Sequence, residues 1–204
     1  TVDSLIVGNF LGSSALAAVS SSGSLIFMLI GFLSGISAGA GVIVARFFGA
    51  GDEKNLQRAV HTTVAFGLVA GVLMTGVGVA LSPQILRWMD TPESVMRESV
   101  TYLQIYFAGS LGFVMYNVLV GILQAVGDSR HPLYYLIVSS VINLVLDLLF
   151  ITGFHTGVGG AAVATVISQI VSALLCFWQL LRTKESYGLK IRKIRFDKGI
   201  LVQI

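Results

Sequence analysis

Residues 133–152 read LYYLIVSSVINLVLDLLFIT, and this stretch decides the class of the fold. It is twenty residues long and apolar apart from a few hydroxyls, one amide and one carboxylate. That is the length an α-helix needs to cross the roughly 30 Å hydrocarbon layer of a bilayer at about 1.5 Å per residue. Between Arg130 and Arg182, Asp147 is the sole Asp, Glu, Lys or Arg. Asn143 stands four residues before it, on the same helical face. An ionisable group at membrane depth is costly, and it normally faces a bundle interior or a water-filled cavity.

The rest of the chain agrees with a membrane setting. Hydrophobic residues make up 55% of it, charged residues 11%, and mean hydropathy is +0.86. Soluble domains carry about 25% charged residues. The 23 glycines suit helices that pack closely in lipid. The single Cys176 excludes a disulfide framework and a cysteine metal site.

The hydropathy pattern predicts an all-α polytopic membrane protein, a six-helix bundle. A first helix ends before about Gly8, and a long second one runs to about Phe48. Further spans cover about 56–81, 102–126, 133–152 and 158–181. GAGD (49–52) should turn the chain, with Gly49 or Gly51 ending one helix and Asp52 capping the next. AVGD (125–128) is a weak echo of it. SPQILRWMDTPESVMRES reads as a polar connector, with the next helix starting near Pro92. The chain opens on TVDSLIVG without Met or a full first span, and FDKGILVQI has the look of a span just beginning. Both features suggest part of a longer protein, with a transmembrane lobe over 1–182 and a basic linker plus the start of a further helix over 183–204.

All but two of the 13 basic residues fall near 46–58, 127–131 and 182–198. The bias of Lys and Arg toward the cytoplasm places those loops inside. The protein is then a multi-pass component of the cytoplasmic membrane. The basic tail has the composition to touch anionic lipid, although positive-inside anchoring alone accounts for it.

Depth brings several polar residues together. Asp147 lies about 22 Å from the inner end of its helix and roughly 9 Å from the outer end, at about 1.5 Å per residue. Asp3, five residues before Gly8, sits at a similar depth. Thr165 falls near the same level on the sixth helix, with Gln169 one turn further. Two carboxylates, an amide and a hydroxyl suit a proton relay or a hard cation such as Na⁺. Asn117 lies nearer the inner end. Interhelical hydrogen bonding is the alternative role for Asn143 and Thr165. His61 and His155 read as interfacial residues.

In series, VDSLIVGNFLGSSALAAVS, VARFFGAGDEKNLQRAV, TYLQIYFAGS, LQAVGDSRHPLYY, INLVLDLLFITG and GVGGAAVATVISQ resemble the multidrug and toxic compound extrusion (MATE) family. The resemblance covers nearly all of the chain. It is nearest to the prokaryotic branch that includes the DNA-damage-inducible transporters. It implies the first lobe of a twelve-helix antiporter, not an enzyme. The lobe would exchange H⁺ or Na⁺ for cationic drugs or dyes, with no cofactor and no nucleic-acid partner. It would act with a C-terminal lobe in the lipid bilayer. In that branch the coupling-ion site uses Asp3, Asn143, Asp147 and Thr165, with Asn117 a further contributor. Two other readings are a lipid-linked precursor flippase of the same superfamily and, from the GxGD pattern of GAGD, an intramembrane aspartyl protease. The spans hold acids and almost no bases, which disfavours the flippase. Asp52 sits in a charged loop, which disfavours the protease.

Overall fold

The computed structural model describes residues 2–202, with side chains from Ser4 onward. Eight α-helices follow in order: α1 (Val2–Leu11), α2 (Ser13–Gly49), α3 (Glu53–Trp88), α4 (Glu93–Ala108), α5 (Ser110–Ala125), α6 (Arg130–Leu148), α7 (Val158–Arg182) and α8 (Lys198–Leu201). A π-helical turn over Leu149–Gly153 closes α6. Four helices, α2, α3, α7 and α6 with its π turn, are long and apolar enough to cross a membrane. The pair α4–α5, bent by 48°, makes a fifth span. With α1 this gives the expected six-helix bundle.

The outside of the bundle is as apolar as the inside. On α6 the buried residues are Pro132, Ser139 and Asp147, while Leu136, Ile137, Val141 and Val145 lie exposed. That is the reverse of a helix on a water-soluble core, and it is what lipid on the outer face requires. The main core joins α2, α3, α5 and α7 through Val44, Val60, Leu119, Leu123 and Cys176. A second cluster, with Val7, Tyr102, Ile151 and Ala161, ties α1 to α4, α7 and the π turn.

Three expectations need correction. The first helix does not stop before Gly8; it runs to Leu11. The reversal into α2 needs a left-handed backbone, and Gly12 supplies it at φ 88°. Gly8 stays helical and packs against Leu16.

The stretch expected as a connector after residue 81 is mostly helix, because α3 continues through Pro83 to Trp88. Proline leaves the carbonyl four residues back without its helical partner. Gln104 Nε2 of α4 reaches that carbonyl, Val79 O, at 3.4 Å. Ser82 Oγ donates to Gly78 O at 2.6 Å on the same turn. Neighbouring side chains thus satisfy backbone groups that lipid could not.

The span expected over 102–126 is broken at Gly109, between α4 and α5. A β-carbon on Gly109 would collide with Val166 of α7, and one on Gly112 would lie 2.7 Å from Ile170. The bend and the missing side chains together let α5 lie close against α7.

The two GD turns share one geometry. Gly51 and Gly127 take φ 66° and 87°. Asp52 N and Asp128 N donate to the carbonyls five residues back, Phe47 at 3.1 Å and Leu123 at 2.9 Å. This is a Schellman closure. Each aspartate then accepts from the backbone N–H three residues on, Asn55 at 3.1 Å and His131 at 3.2 Å. The faint sequence echo is therefore a repeated stop-and-start device. Asp52 caps α3, and the amide and side chain of Asn55 hold its carboxyl below the usual carboxylate range.

Candidate functional site

Helices α6 and α7 run antiparallel after the π turn. Asn143 Nδ2 donates to Thr165 Oγ1 at 3.5 Å, which fixes the register of the seam. Thr165 Oγ1 donates in turn to Ala161 O at 3.0 Å, so its hydroxyl proton is committed and its lone pairs serve Asn143. In this register Asn143, rather than Asp147, lies at the level of Thr165. Asp147 sits one turn further along, a shift of about 6 Å at 1.5 Å per residue.

Asp147 is 0% exposed. The residue one turn beyond it, Ile151, belongs to the apolar cluster that includes Val7 of α1 and Val158, Ala161 and Ala162 of α7. The carboxylate is therefore sealed at the seam, close to where the π turn begins. A π-helical turn widens the local backbone ring and recurs beside functional residues. Here Phe154 N donates to Leu149 O at 3.0 Å, and Thr156 donates from both N and Oγ1 to Phe150 O, at 3.0 and 2.8 Å. The helix end beside the acid is thus closed by its own backbone and by Thr156.

The expected partner acid, Asp3, lies on α1, which packs against α6, α7 and the π turn. Its side chain falls outside the described residues. Asn117 is placed elsewhere, in a cleft of about 480 Å³ between α2 and α5. Its Nδ2 donates to Phe113 O at 2.8 Å, and its backbone carbonyl accepts from Ser37 Oγ at 2.5 Å. Two amide-bearing sites thus exist on the lobe, one at the α6–α7 seam and one at the α2–α5 cleft.

A residue left out of the expected set belongs to the seam. Gln169 lies one turn beyond Thr165, and its Oε1 is a buried acceptor without a hydrogen-bond partner among the described residues. The four-residue spacing from Thr165 is the sequence signal for it. His61, expected to be interfacial, is buried at 3% exposure. Its Nδ1 donates to Gln57 O at 2.6 Å, and its Nε2 accepts from Lys190 N at 3.0 Å.

Known proteins resemble the chain in sequence and in fold. The family model described as MatE matches residues 1–149. The chain is 36% identical over 208 residues to the probable multidrug resistance protein YoeA of Bacillus subtilis (strain 168), covering 98% of this chain and 45% of that protein. It is 29% identical over 179 residues to the DNA damage-inducible protein F of Escherichia coli (strain K12), covering 85% of this chain and 38% of that one. A crystal structure of MATE in the bent conformation superposes with a TM-score of 0.91 at 27% identity, over 98% of this chain and 44% of the other. The chain therefore spans under half the length of these relatives, the share that one six-helix lobe represents. With a family model over most of its residues and a shared arrangement of helices, the chain belongs to the MatE family.

Proposed function

We propose that this lobe works with a second lobe as a cation-coupled antiporter that exports organic cations. The coupling ion, H⁺ or Na⁺, is held by Asp147 and Asn143 of α6, Thr165 of α7 and Asp3 of α1. The observation that carries the reading is the fully buried Asp147 one turn from the Asn143–Thr165 bond. A fully buried carboxylate is costly to keep charged, and a proton or a cation bound at the seam relieves that cost. Oxygen donors at the same seam suit a small hard cation. Neutralising the seam removes the negative charge that would attract a cationic drug, so ion and drug exclude one another. Alternating access rocks one lobe against the other around such a site.

The same reading sets the orientation in the cytoplasmic membrane. The end of the bundle carrying the α2–α3 turn, the α5–α6 turn and residues 182–198 holds most of the basic side chains and faces the cytoplasm. The seam then lies in the outer half of the membrane. The relatives named as multidrug resistance proteins support drug export, and the acidic seam favours cations among drugs.

The test uses full-length transporter in everted vesicles and ethidium as the exported dye. Asp147→Asn keeps the shape and removes the charge, and it should abolish gradient-driven efflux. Glu53→Gln removes an exposed carboxylate at the α2–α3 turn and should leave efflux intact. Wild-type efflux by Asp147→Asn would overturn the coupling role. Proteoliposomes with a Na⁺ or a proton gradient alone identify the ion.

A further inference from the structure

Residues 183–197 do not hang free at the end of α7. They return along the first three turns of α3 as a strap pinned by successive side chains. Gln57 Nε2 donates to the carbonyls of Ser186 and Gly188. His61 takes the N–H of Lys190 at 3.0 Å. Thr62 Oγ1 donates to Arg195 O at 3.4 Å and accepts from Asp197 N at 3.2 Å. Arg58 Nε and an η-nitrogen bond one Asp197 oxygen at 2.7 and 2.5 Å. Leu189 within the strap and Ile200 just after it are buried in the main core.

This use of α3 has an electrostatic consequence. Gln57, His61 and Thr62 of α3 are spent on the strap backbone, so they leave the strap's basic side chains unneutralised. Between strap and helix lies a cleft of about 890 Å³. Lys54, Arg58, Arg192, Lys193 and Arg195 line it against two acids, Glu53 and Asp197. Asp197 is consumed by Arg58. Among the described residues Lys54, Arg192, Lys193 and Arg195 enter no salt bridge, and the three strap bases are exposed.

Apolar groups flank these charges. Ile191 is 62% exposed and Phe196 46%. Near the strap, Arg182 lies over the exposed Trp178 ring at 4.5 Å, and Leu189 N donates to Leu180 O at 2.8 Å. Trp and Arg in this arrangement mark the headgroup level of a bilayer. A basic cleft at that level, rimmed by apolar side chains, has the chemistry of one ligand class.

We infer that the cleft between α3 and the strap is a binding site for an anionic phospholipid headgroup, with Arg192, Lys193, Arg195 and Lys54 taking the phosphate and Ile191 and Phe196 meeting the acyl boundary. Its location in the inner leaflet rests on the orientation proposed above; the binding does not depend on the coupling site. The strap is pinned along α3, so an occupied site fixes residues 183–197 to the membrane surface.

The experiment is native mass spectrometry of the full-length transporter titrated with dioleoylphosphatidylglycerol or dioleoylphosphatidylcholine. Each basic side chain at an anionic surface is worth roughly fivefold in binding. Wild type should therefore prefer the glycerol lipid by tenfold or more, and Arg192→Gln/Lys193→Gln/Arg195→Gln should lose that preference. Arg192→Lys/Arg195→Lys keeps the charge and should retain it, as should Arg97→Gln at the opposite end of the bundle. Millimolar inorganic phosphate should not displace the lipid. Unchanged preference in the triple glutamine variant overturns the site. Displacement by phosphate overturns the lipid assignment and makes it a free-anion site. Efflux by Asp147→Asn has no bearing on either outcome.

Discussion

Asn143 and Thr165 meet across the α6–α7 seam with Nδ2 3.5 Å from Oγ1, one helical turn from the buried Asp147. Because Thr165 spends its own proton on Ala161 O, the amide must donate. Asn143 Oδ1 is then the oxygen the pair can turn toward a cation. Removing either partner should weaken ion binding without emptying the seam of its charge. Asn143→Ala and Thr165→Val are each expected to raise the half-saturating ion concentration about 5- to 10-fold, the effect of one net hydrogen bond of about 1–1.5 kcal/mol. The double variant should fall short of the product, because the two share one bond. Reconstituted transport against an ion titration measures this. Strict multiplication would show that the contact does not link the two residues.

Close packing of α2 on α5 depends on Gly121. A β-carbon there would overlap Ser37 Oγ and lie 3.0 Å from the Ser37 carbonyl oxygen. The same serine bonds the carbonyl of Asn117 at 2.5 Å, so pushing it aside also breaks an interhelical hydrogen bond. Gly121→Ala should destabilise the full-length protein by about 1–3 kcal/mol, as overpacking does. Gly76 is the control: it is exposed in the middle of α3 with nothing within 4 Å of a built β-carbon. Gly76→Ala should be neutral or stabilise by up to about 1 kcal/mol through helix propensity. Thermal unfolding in detergent separates the two, and equal melting of both variants would remove the packing argument.

Cys176 gives a chemical probe of the core. It is 0% exposed within the cluster joining α2, α3, α5 and α7. Maleimide should leave it unlabelled in folded protein and modify it fully in denaturant. Labelling of the native protein would mean that the α5–α7 seam opens.

The parts of this molecule that were legible in the sequence are those set by a bilayer. Apolar runs between charged turns located the spans, and Asp147 stood out because nothing else between Arg130 and Arg182 carries a charge. The GD turns were legible as turns, and their shared hydrogen bonding only in three dimensions. What stayed hidden depends on neighbours. Pro83 does not end α3 because Gln104, on another helix, covers the carbonyl it exposes. The bend at Gly109 answers to Val166 of α7, which lies 57 positions away and has no local signature. The burial of His61 was hidden because its partner, the backbone of Lys190, is even more distant in the chain.

The strap offers a pH test of its Asp197 anchor. Burial pushes the Asp197 carboxyl up, but the Arg58 guanidinium and the amides of Ile200 and Gly199 outweigh it and hold the group below its usual value of 3.8. A carboxylate with a lowered pKa stabilises the pinned state fully above the unpinned value. That contribution declines as pH falls below about 3.8 and is gone beneath the lowered pKa. A spin label at Lys193→Cys reports the strap, with Cys176 silent because it is buried. The label should stay immobile from pH 7 to 5 and loosen only near pH 4 and below. Asp197→Asn should be mobile at every pH, and Arg58→Gln likewise. Loosening already complete between pH 7 and 5 would overturn Asp197 as the latch. An immobile label in Asp197→Asn at neutral pH would show that the ion pair contributes nothing to holding the strap.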